Sequence, residues 1–145
     1  MELDPARDYP LGARRPDLVA TPSGVPQEKL TLAALVEGRL GADDMRATPA
    51  TLRRQAAIAA NAGREPLAAT LTLAAELASV PNDVLLEIYT ALRPRRATAA
   101  ALEQWAERLD AEFEAPQAAA FVREAADVYE ARGLLALDER VLPQV

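Results

Sequence analysis

The residues with the clearest chemical potential are arginines, and three of them lie in one short segment. The stretch "ATPATLRRQAAIAANAGREP" (47–66) contains Arg53, Arg54 and Arg64 in a chain whose formal net charge is −6. A guanidinium group presents several donors in one plane, which matches the oxygens of a phosphate or a carboxylate. The segment could therefore bind a small anion, or it could bind the acidic surface of another protein.

A second basic cluster follows in "ALRPRRAT" (91–98), where Arg93, Arg95 and Arg96 surround Pro94. Arg93 would lie at the end of a helix and complement the negative end of its dipole, which is a common local role for a cation. Arg95 and Arg96 follow that helix end, where solvent is the default environment. Contact with another molecule is the alternative for these two side chains.

The chain has no cysteine and no histidine, which narrows the chemistry open to it. Thiolate nucleophiles, disulfides, imidazole bases and Ser-His-Asp triads are excluded. The adjacent carboxylates of "GADDMR", Asp43 and Asp44, would point about 100° apart on a helix, so a two-carboxylate catalytic pair is disfavoured. Capping of a short helical turn is the simpler role. We therefore expect no catalytic, cofactor-binding or metal-binding residue on this chain.

Helices must position these groups, because the apolar half of the composition is mostly alanine and leucine. Both are strong helix formers, and no segment alternates apolar and polar residues long enough to indicate a strand. Caps, prolines and glycines divide the sequence from Leu30 onwards into about six helices, near 32–38, 49–62, 66–79, 82–93, 98–113 and 115–133. The predicted fold is a compact all-α domain.

Residues 1–29 differ from the rest because they contain five of the eleven prolines. Proline at this density disfavours helix and favours extended or polyproline II backbone. Two interpretations remain open: a disordered tail, or an extended arm that lies on a neighbouring surface through Tyr9 and Leu11. We divide the chain into an extended N-terminal arm, 1–29, and a helical domain, 30–145.

Arg53 and Arg54 project from the first turn of the predicted helix 49–62. A helix N-terminus carries partial positive charge, so cations there indicate a group outside the helix, either an anion or a carboxylate of another subunit. No glycine-rich loop precedes this helix, which disfavours a nucleotide phosphate. The overall acidity and the lack of one contiguous basic face argue against nucleic-acid binding.

No apolar run in the sequence is long enough to span a bilayer. No basic N-terminal region is followed by an apolar stretch of the kind found in a secretory signal. We therefore expect a cytoplasmic protein that binds no membrane.

An ordered series of phrases resembles the small subunit of adenosylcobalamin-dependent diol and glycerol dehydratases. The phrases are "DYPLGARRPDLVATPSG" (8–24), "LTLAALVEGRLGADDMRATPATLRRQAAIAANAGREPLA" (30–68), "AAELASVPNDVLLEIYTALRPRRAT" (74–98) and "AAFVREAADVYEARGLL" (119–135). They cover most of the chain in the order that the family has. The helix around Trp105 is the part least like the family.

The resemblance implies a heterohexamer of two large, two medium and two small subunits. In such complexes the large subunit is a TIM barrel that holds the diol and its metal ion, and adenosylcobalamin lies between the large and medium subunits. The cofactor supplies a radical that converts the diol to an aldehyde with loss of water. The small subunit is helical, packs on the large subunit, and is expected to bind no cofactor itself.

On this basis we expect the chain to be a non-catalytic subunit that stabilises the large subunit. The expected interface residues are Tyr9, Leu11, Arg46, Arg53, Arg54, Arg93, Arg95 and Arg96. Only seven residues precede Asp8, fewer than in several relatives, so targeting to a bacterial microcompartment is not indicated. The alternatives are a stand-alone helical adaptor and an anion-binding domain without a dehydratase partner.

Overall fold

A computed structural model describes residues 2–137 of the chain. The described residues form eight α-helices and no strand, so the predicted all-α class is confirmed. The helices are α1 Pro5–Asp8, α2 Leu11–Arg14, α3 Leu32–Val36, α4 Pro49–Asn61, α5 Glu65–Leu77, α6 Asn82–Ala91, α7 Ala99–Phe113 and α8 Pro116–Ala131. Three 3₁₀ turns lie at Pro16–Leu18, Gln27–Lys29 and Ala42–Met45. No helix among residues 2–137 has the length and apolar character needed to cross a membrane.

The chain divides into two compact units, the first ending at Ala78 and the second beginning at Ser79. The first holds α1–α5 and the second holds α6–α8. The helices predicted from Leu30 onwards correspond to α3–α8, and their bounds agree to within a few residues. The predicted division into an arm, 1–29, and a helical domain, 30–145, stays a prediction about the roles of these segments.

Helix α4 begins and ends at the residues that the sequence indicates. The hydroxyl oxygen of Thr48 accepts a hydrogen bond from the backbone N–H of Thr51 at 3.2 Å, and Pro49 takes the first helical position. Gly63 follows the helix with φ +70°, a conformation that glycine adopts without a steric penalty. This turn reverses the chain into α5, and the two helices pack along their length as a hairpin.

Residues 5–8 and 11–14 are helical and only Tyr9 and Pro10 between them are extended, which corrects the prediction for this part of the arm. Both α1 and α2 are single helical turns. Pro5 occupies the first position of α1, where the missing N–H would have no helical partner, and the carboxylate of Asp4 accepts from Ala6 N at 2.8 Å. Proline therefore starts a helical turn here, whereas the sequence analysis treated it only as a helix breaker.

The arm contributes to the core of the first unit. Leu3 and Leu11 are buried in one apolar cluster with Ile58 of α4, and Leu18 and Val19 pack against it. Two polar side chains of α4 hold the arm by its backbone: Asn61 Nδ2 donates to the Leu3 carbonyl oxygen at 2.7 Å, and Arg54 Nη1 donates to that of Leu18. Residues 3–19 are therefore packed on α4, and the disordered-tail interpretation does not hold for them.

The second unit is built on a hairpin of α7 and α8. The hydroxyl of Thr98 caps α7 through the backbone N–H of Ala101 at 3.2 Å. Leu102, Ala106 and Leu109 of α7 are buried at helical spacing, and α8 buries Ala118, Ala119 and Val122. Small residues on both helices allow their backbones to approach closely.

Candidate functional site

Three of the predicted interface arginines lie together in the first unit. Arg46, Arg53 and Arg54 line one open hollow of about 900 Å³, which also borders the N-terminal turn of α4. Arg46 follows the Ala42–Met45 turn. Arg53 and Arg54 are the fifth and sixth residues of α4 and lie in its second turn, so their predicted place in the first turn is wrong. We predicted that Arg53 and Arg54 answer to a group outside their helix and that Arg46 belongs to the same interface; the structure brings the three side chains to one hollow.

The three guanidinium groups differ in what they already bind within the chain. Arg46 Nε lies 3.4 Å from the carboxylate of Asp43, an exposed pair, and Arg54 donates to the Leu18 carbonyl oxygen. Arg53 is exposed and forms no ion pair with any residue between 2 and 137. Arg53 is therefore the member of the cluster that is most available to another molecule.

The same hollow is a poor site for a small anion. Asp17 and Asp43 also line it, so two carboxylates offset much of its positive charge. The N-terminal turn of α4 is partly satisfied because the hydroxyl of Thr48 already accepts from a backbone N–H. A wide, mixed-charge surface of this kind suits the polar rim of a protein interface better than a phosphate site.

Tyr9 and Leu11, the two predicted anchors of the arm, have different environments. Tyr9 is 67% exposed, whereas Leu11 is 4% exposed and belongs to the core of the first unit. Both border a groove of about 560 Å³ between the arm and the α4–α5 hairpin. Leu11 is buried and forms part of the floor of this groove, whereas the ring of Tyr9 is accessible to a partner.

Arg64 and Leu67 also line that groove, and sequence reasoning did not include them in the interface. The available signal was the position of Arg64 directly after Gly63, between the predicted helices 49–62 and 66–79. Whether that turn faces the arm depends on how the two helices pack, and periodicity alone does not give this orientation.

Asp8 is the fully buried carboxylate of the arm. It accepts hydrogen bonds from Arg7 Nε at 3.0 Å, Arg7 Nη2 at 2.8 Å and the backbone N–H of Asp4 at 2.8 Å, and Arg15 lies 3.6 Å away. The hydrogen bonds from Arg7, followed by the one from Asp4, hold the pKa of Asp8 well below its ordinary value. This charged network fixes the turn between α1 and α2.

The second arginine cluster lies in the second unit, at the exit of α6. Arg93, Arg95 and Arg96 are all exposed, and none forms an ion pair within the described part of the chain. Arg95 has φ +62°, an uncommon conformation for a residue with a Cβ atom, and its backbone N–H donates to the carbonyl oxygen of Leu134 at 2.7 Å. Tyr129 of α8 donates its hydroxyl hydrogen to the Leu92 carbonyl oxygen, so the backbone that carries the cluster is held in place.

Arg96 borders an open groove of about 700 Å³ together with Leu86 of α6 and Trp105 of α7. Leu86 is 65% exposed, and Trp105 is half-buried with the guanidinium carbon of Arg108 4.8 Å from the centroid of its ring. Trp105 is therefore only partly enclosed by its own unit. One part of the indole is packed, and another part is accessible.

Several carboxylates of the chain accept hydrogen bonds from its own backbone or side chains. Asp44 accepts from the backbone N–H of Gly41 at 2.9 Å, which confirms its capping role, and this hydrogen bond is the main cause of its lowered pKa. Glu103 and Asp110 both accept from Arg123, each at 2.9 Å. Among residues 2–137, no three acidic side chains come close enough together to hold a metal ion.

Comparison with known proteins gives a consistent result. The family described as "Dehydratase small subunit" matches residues 5–136. The propanediol dehydratase small subunit of Salmonella typhimurium is 46% identical over 132 residues, which cover 91% of this chain and 76% of that protein. The propanediol dehydratase small subunit of Citrobacter freundii is also 46% identical over 132 residues, with 91% and 77% covered. The predicted resemblance is confirmed, and this chain belongs to the dehydratase small-subunit family.

Proposed function

We propose that this chain is the small, non-catalytic subunit of an adenosylcobalamin-dependent dehydratase that acts on propanediol or glycerol, and that it stabilises the large catalytic subunit. The observation that carries the proposal is 46% identity over 91% of the chain to two propanediol dehydratase small subunits. Membership of the family makes the chain one subunit of an enzyme complex with larger partners. The identity of the substrate of the complex, propanediol or glycerol, belongs to this proposal.

This chain lacks the side chains that most readily ligate a cobalt ion. It has no histidine to supply an imidazole ligand to cobalt and no cysteine to supply a thiolate. The described residues offer no cluster of acidic groups for a metal ion either. We therefore assign adenosylcobalamin to the other subunits and derive no step of the radical reaction from this chain.

Exposed arginines support a docking role. Arg53 in the first unit, and Arg93, Arg95 and Arg96 in the second, form no ion pair within residues 2–137. Arginine is enriched at interfaces because its planar guanidinium binds carboxylates in a bidentate manner and is only weakly hydrated. We propose that these four residues, with Arg46, Arg54 and Tyr9, contact acidic surface of the larger subunits, and that Leu11 supports them from within.

The remaining features of the assembly follow from the same proposal. We infer a heterohexamer with two copies each of the large, medium and small subunits, located in the cytoplasm. Light scattering of the purified complex would measure its mass, and fractionation of cells would locate it.

Co-expression with the large and medium subunits tests the role in assembly. We expect the complex to purify with this chain in equal amount, and omission of the chain to reduce the yield or stability of the active large subunit. A complex that forms without this chain and converts 1,2-propanediol or glycerol at the normal rate and stability would contradict the proposal.

Charge reversal tests the docking surface. The double substitution Arg53→Glu and Arg54→Glu should weaken assembly at least about tenfold, because each reversal replaces attraction by repulsion at an interface. Arg54→Gln alone should have a smaller effect on assembly, since it mainly affects the hydrogen bond to Leu18 O. Arg132→Glu, on an exposed residue outside both clusters, is the matched control. An intact complex with the double variant would mean that these two arginines are ordinary surface residues.

A further inference from the structure

The groove between the arm and the α4–α5 hairpin combines apolar walls with one cation. Leu11 and Ile58 form its buried floor, Leu67 and Tyr9 stand at its edges, and Arg64 is the charged residue among those that line it. We propose that this groove receives an extended, acidic segment of the large catalytic subunit. An apolar side chain of that segment enters the groove, and a neighbouring carboxylate pairs with Arg64. This inference rests on the proposed function for the identity of the partner.

Two large apolar side chains at the edge of the groove are exposed to solvent. Leu67 is 44% exposed and Tyr9 is 67% exposed, although the chain has only six aromatic residues in total. Large apolar side chains grouped around a concave surface are typical of interaction sites, whereas single exposed ones are common. A volume of about 560 Å³ lies within the range of sites that enclose a bound group.

The charge in the groove specifies the partner. Arg64 forms no ion pair with any residue between 2 and 137, and no carboxylate lines the groove with it. The hollow that holds Arg46 and Arg53 differs, since Asp17 and Asp43 line it as well. An unopposed guanidinium beside apolar walls is complementary to an acidic segment and repels a basic one.

The backbone that carries Arg64 is well defined, which favours binding. Its N–H donates to the carbonyl oxygen of Ala59 at 2.9 Å, and the N–H of Gly63 donates to Ala60 at 2.9 Å. These two hydrogen bonds close the C-terminus of α4 and fix the start of α5. Gln55, one turn before Ala59 on α4, adds a side-chain amide to the same groove. The segment's backbone would find a hydrogen-bonding group there.

Photo-crosslinking within the complex identifies the occupant. A photoreactive phenylalanine derivative replaces Leu67, the chain is co-expressed with the large and medium subunits, and the crosslinked peptides are sequenced by mass spectrometry. We expect a peptide of the large subunit that contains an aspartate or glutamate within a few residues of an apolar side chain. A crosslink to the medium subunit, to a second copy of this chain, to a segment without a carboxylate, or to no protein at all would overturn the proposal.

Affinity measurements separate the two contributions of the groove. The isolated chain is titrated against the large–medium subcomplex at two salt concentrations. Arg64→Glu should weaken binding roughly tenfold and reduce its dependence on salt. Ala62→Phe places a ring at the groove from an exposed position, and should weaken binding by a similar factor with the salt dependence unchanged. Arg132→Glu, which lies outside the groove, should bind like the wild type.

The outcomes distinguish this inference from the proposed function. If the wild-type chain does not bind the subcomplex, the proposed function is wrong and this inference falls with it. If the wild type binds and both groove variants bind equally well with unchanged helicity, the groove is empty in the complex and only this inference is wrong. Circular dichroism of each variant provides the folding control.

Discussion

The two helical hairpins of this chain use their polar side chains differently. In the α4–α5 hairpin, Arg54 and Asn61 donate to backbone carbonyl oxygens of the N-terminal arm. In the α7–α8 hairpin, Arg123 binds Glu103 and Asp110 of its own hairpin. The charged side chain Arg54 of the first hairpin therefore holds another segment, whereas the charged side chain Arg123 closes the second hairpin on itself. The second hairpin binds another segment through a neutral group, the hydroxyl of Tyr129, which donates to the Leu92 carbonyl oxygen.

This difference bears on where partners bind. The first unit carries a groove with apolar edges that is lined by Arg64, and a separate hollow that is lined by Arg53. Neither arginine has a carboxylate partner within residues 2–137. In the second unit, Arg108 and Arg123 of the helical hairpin are paired. The arginines without an ion pair among the described residues follow the ends of α6 and α8: Arg93, Arg95, Arg96 and Arg132. The docking surfaces that we propose therefore lie close to helix ends, while the paired faces add at most modestly to local stability.

The largest expected effect concerns the core of the second hairpin. Leu109→Ala should lower the free energy of unfolding by about 3 kcal/mol, because Leu109 is only 1% exposed and its removal leaves a cavity. Urea denaturation followed through the fluorescence of Trp105, the single tryptophan, measures this effect. Leu86→Ala, at a side chain that is 65% exposed, is the matched control and should cost less than about 0.5 kcal/mol. Equal losses for both variants would contradict the assigned core.

The second effect concerns the attachment of the arm to the first hairpin. Leu11→Ala should lower the free energy of unfolding by about 2 kcal/mol, because Leu11 is buried against Leu3 and Ile58. Trypsin should then cleave faster after Arg14, because the arm opens locally more often. Leu32→Ala, at an exposed leucine of α3, should leave the cleavage rate unchanged. An unchanged rate in Leu11→Ala would mean that the arm is held by its hydrogen bonds alone.

The third prediction concerns the acid sensitivity of the arm. The pKa of Asp8 is lowered by folding, so the charged carboxylate contributes stability above the ordinary pKa of an aspartate, near 4, and this contribution is lost as the pH falls below it. The protection of the Asp4 backbone N–H against hydrogen exchange, measured relative to the intrinsic rate at each pH, should therefore decrease on acidification.

Asp8→Asn should remove most of that pH dependence and leave the arm less protected at neutral pH. Asp43→Asn, at a carboxylate that is 85% exposed, is the matched control and should keep the wild-type profile. Identical profiles for all three proteins would show that Asp8 does not hold the arm through its charge.

The smallest expected effect sharpens the comparison at the turns. The α4–α5 turn uses Gly63 with φ +70°, whereas the α7–α8 connection uses Glu114 with φ +51°. Glu114→Gly should raise the free energy of unfolding by about 0.5 kcal/mol, because glycine adopts this left-handed conformation without a penalty from Cβ. Glu107→Gly, in the middle of α7, should lower it by about 1 kcal/mol. A thermal melt distinguishes the opposite signs, and a loss of stability in both variants would contradict the prediction.

The fold could be predicted from the sequence wherever local signals agree. Thr48–Pro49 and Gly63 bound α4, and Thr98 begins α7, because caps and breakers act within a few residues. The turns α1 and α2 could not be predicted by proline count, since the effect of a proline depends on whether it takes the first helical position.

The candidate site was predictable only in part. The sequence indicates which arginines lie near helix ends, and the exposure of Arg53 and Arg96 agrees with that expectation. It does not indicate that Leu11 points into the core, nor that Arg64 and Leu67 face the arm. Those features depend on contacts between segments about fifty residues apart, and no local pattern encodes them.

The hydrogen bonds that hold the arm distribute mutational tolerance unequally. Arg54 and Asn61 bind the carbonyl oxygens of Leu18 and Leu3, and every amino acid provides such an oxygen. A saturation library should therefore accept several apolar residue types at position 18, which also packs against the core cluster, and few residue types at positions 54 and 61. The two hydrogen bonds thus fix the path of the arm along α4 through its backbone, while its buried side chains, Leu3 and Leu11, are constrained separately by the core.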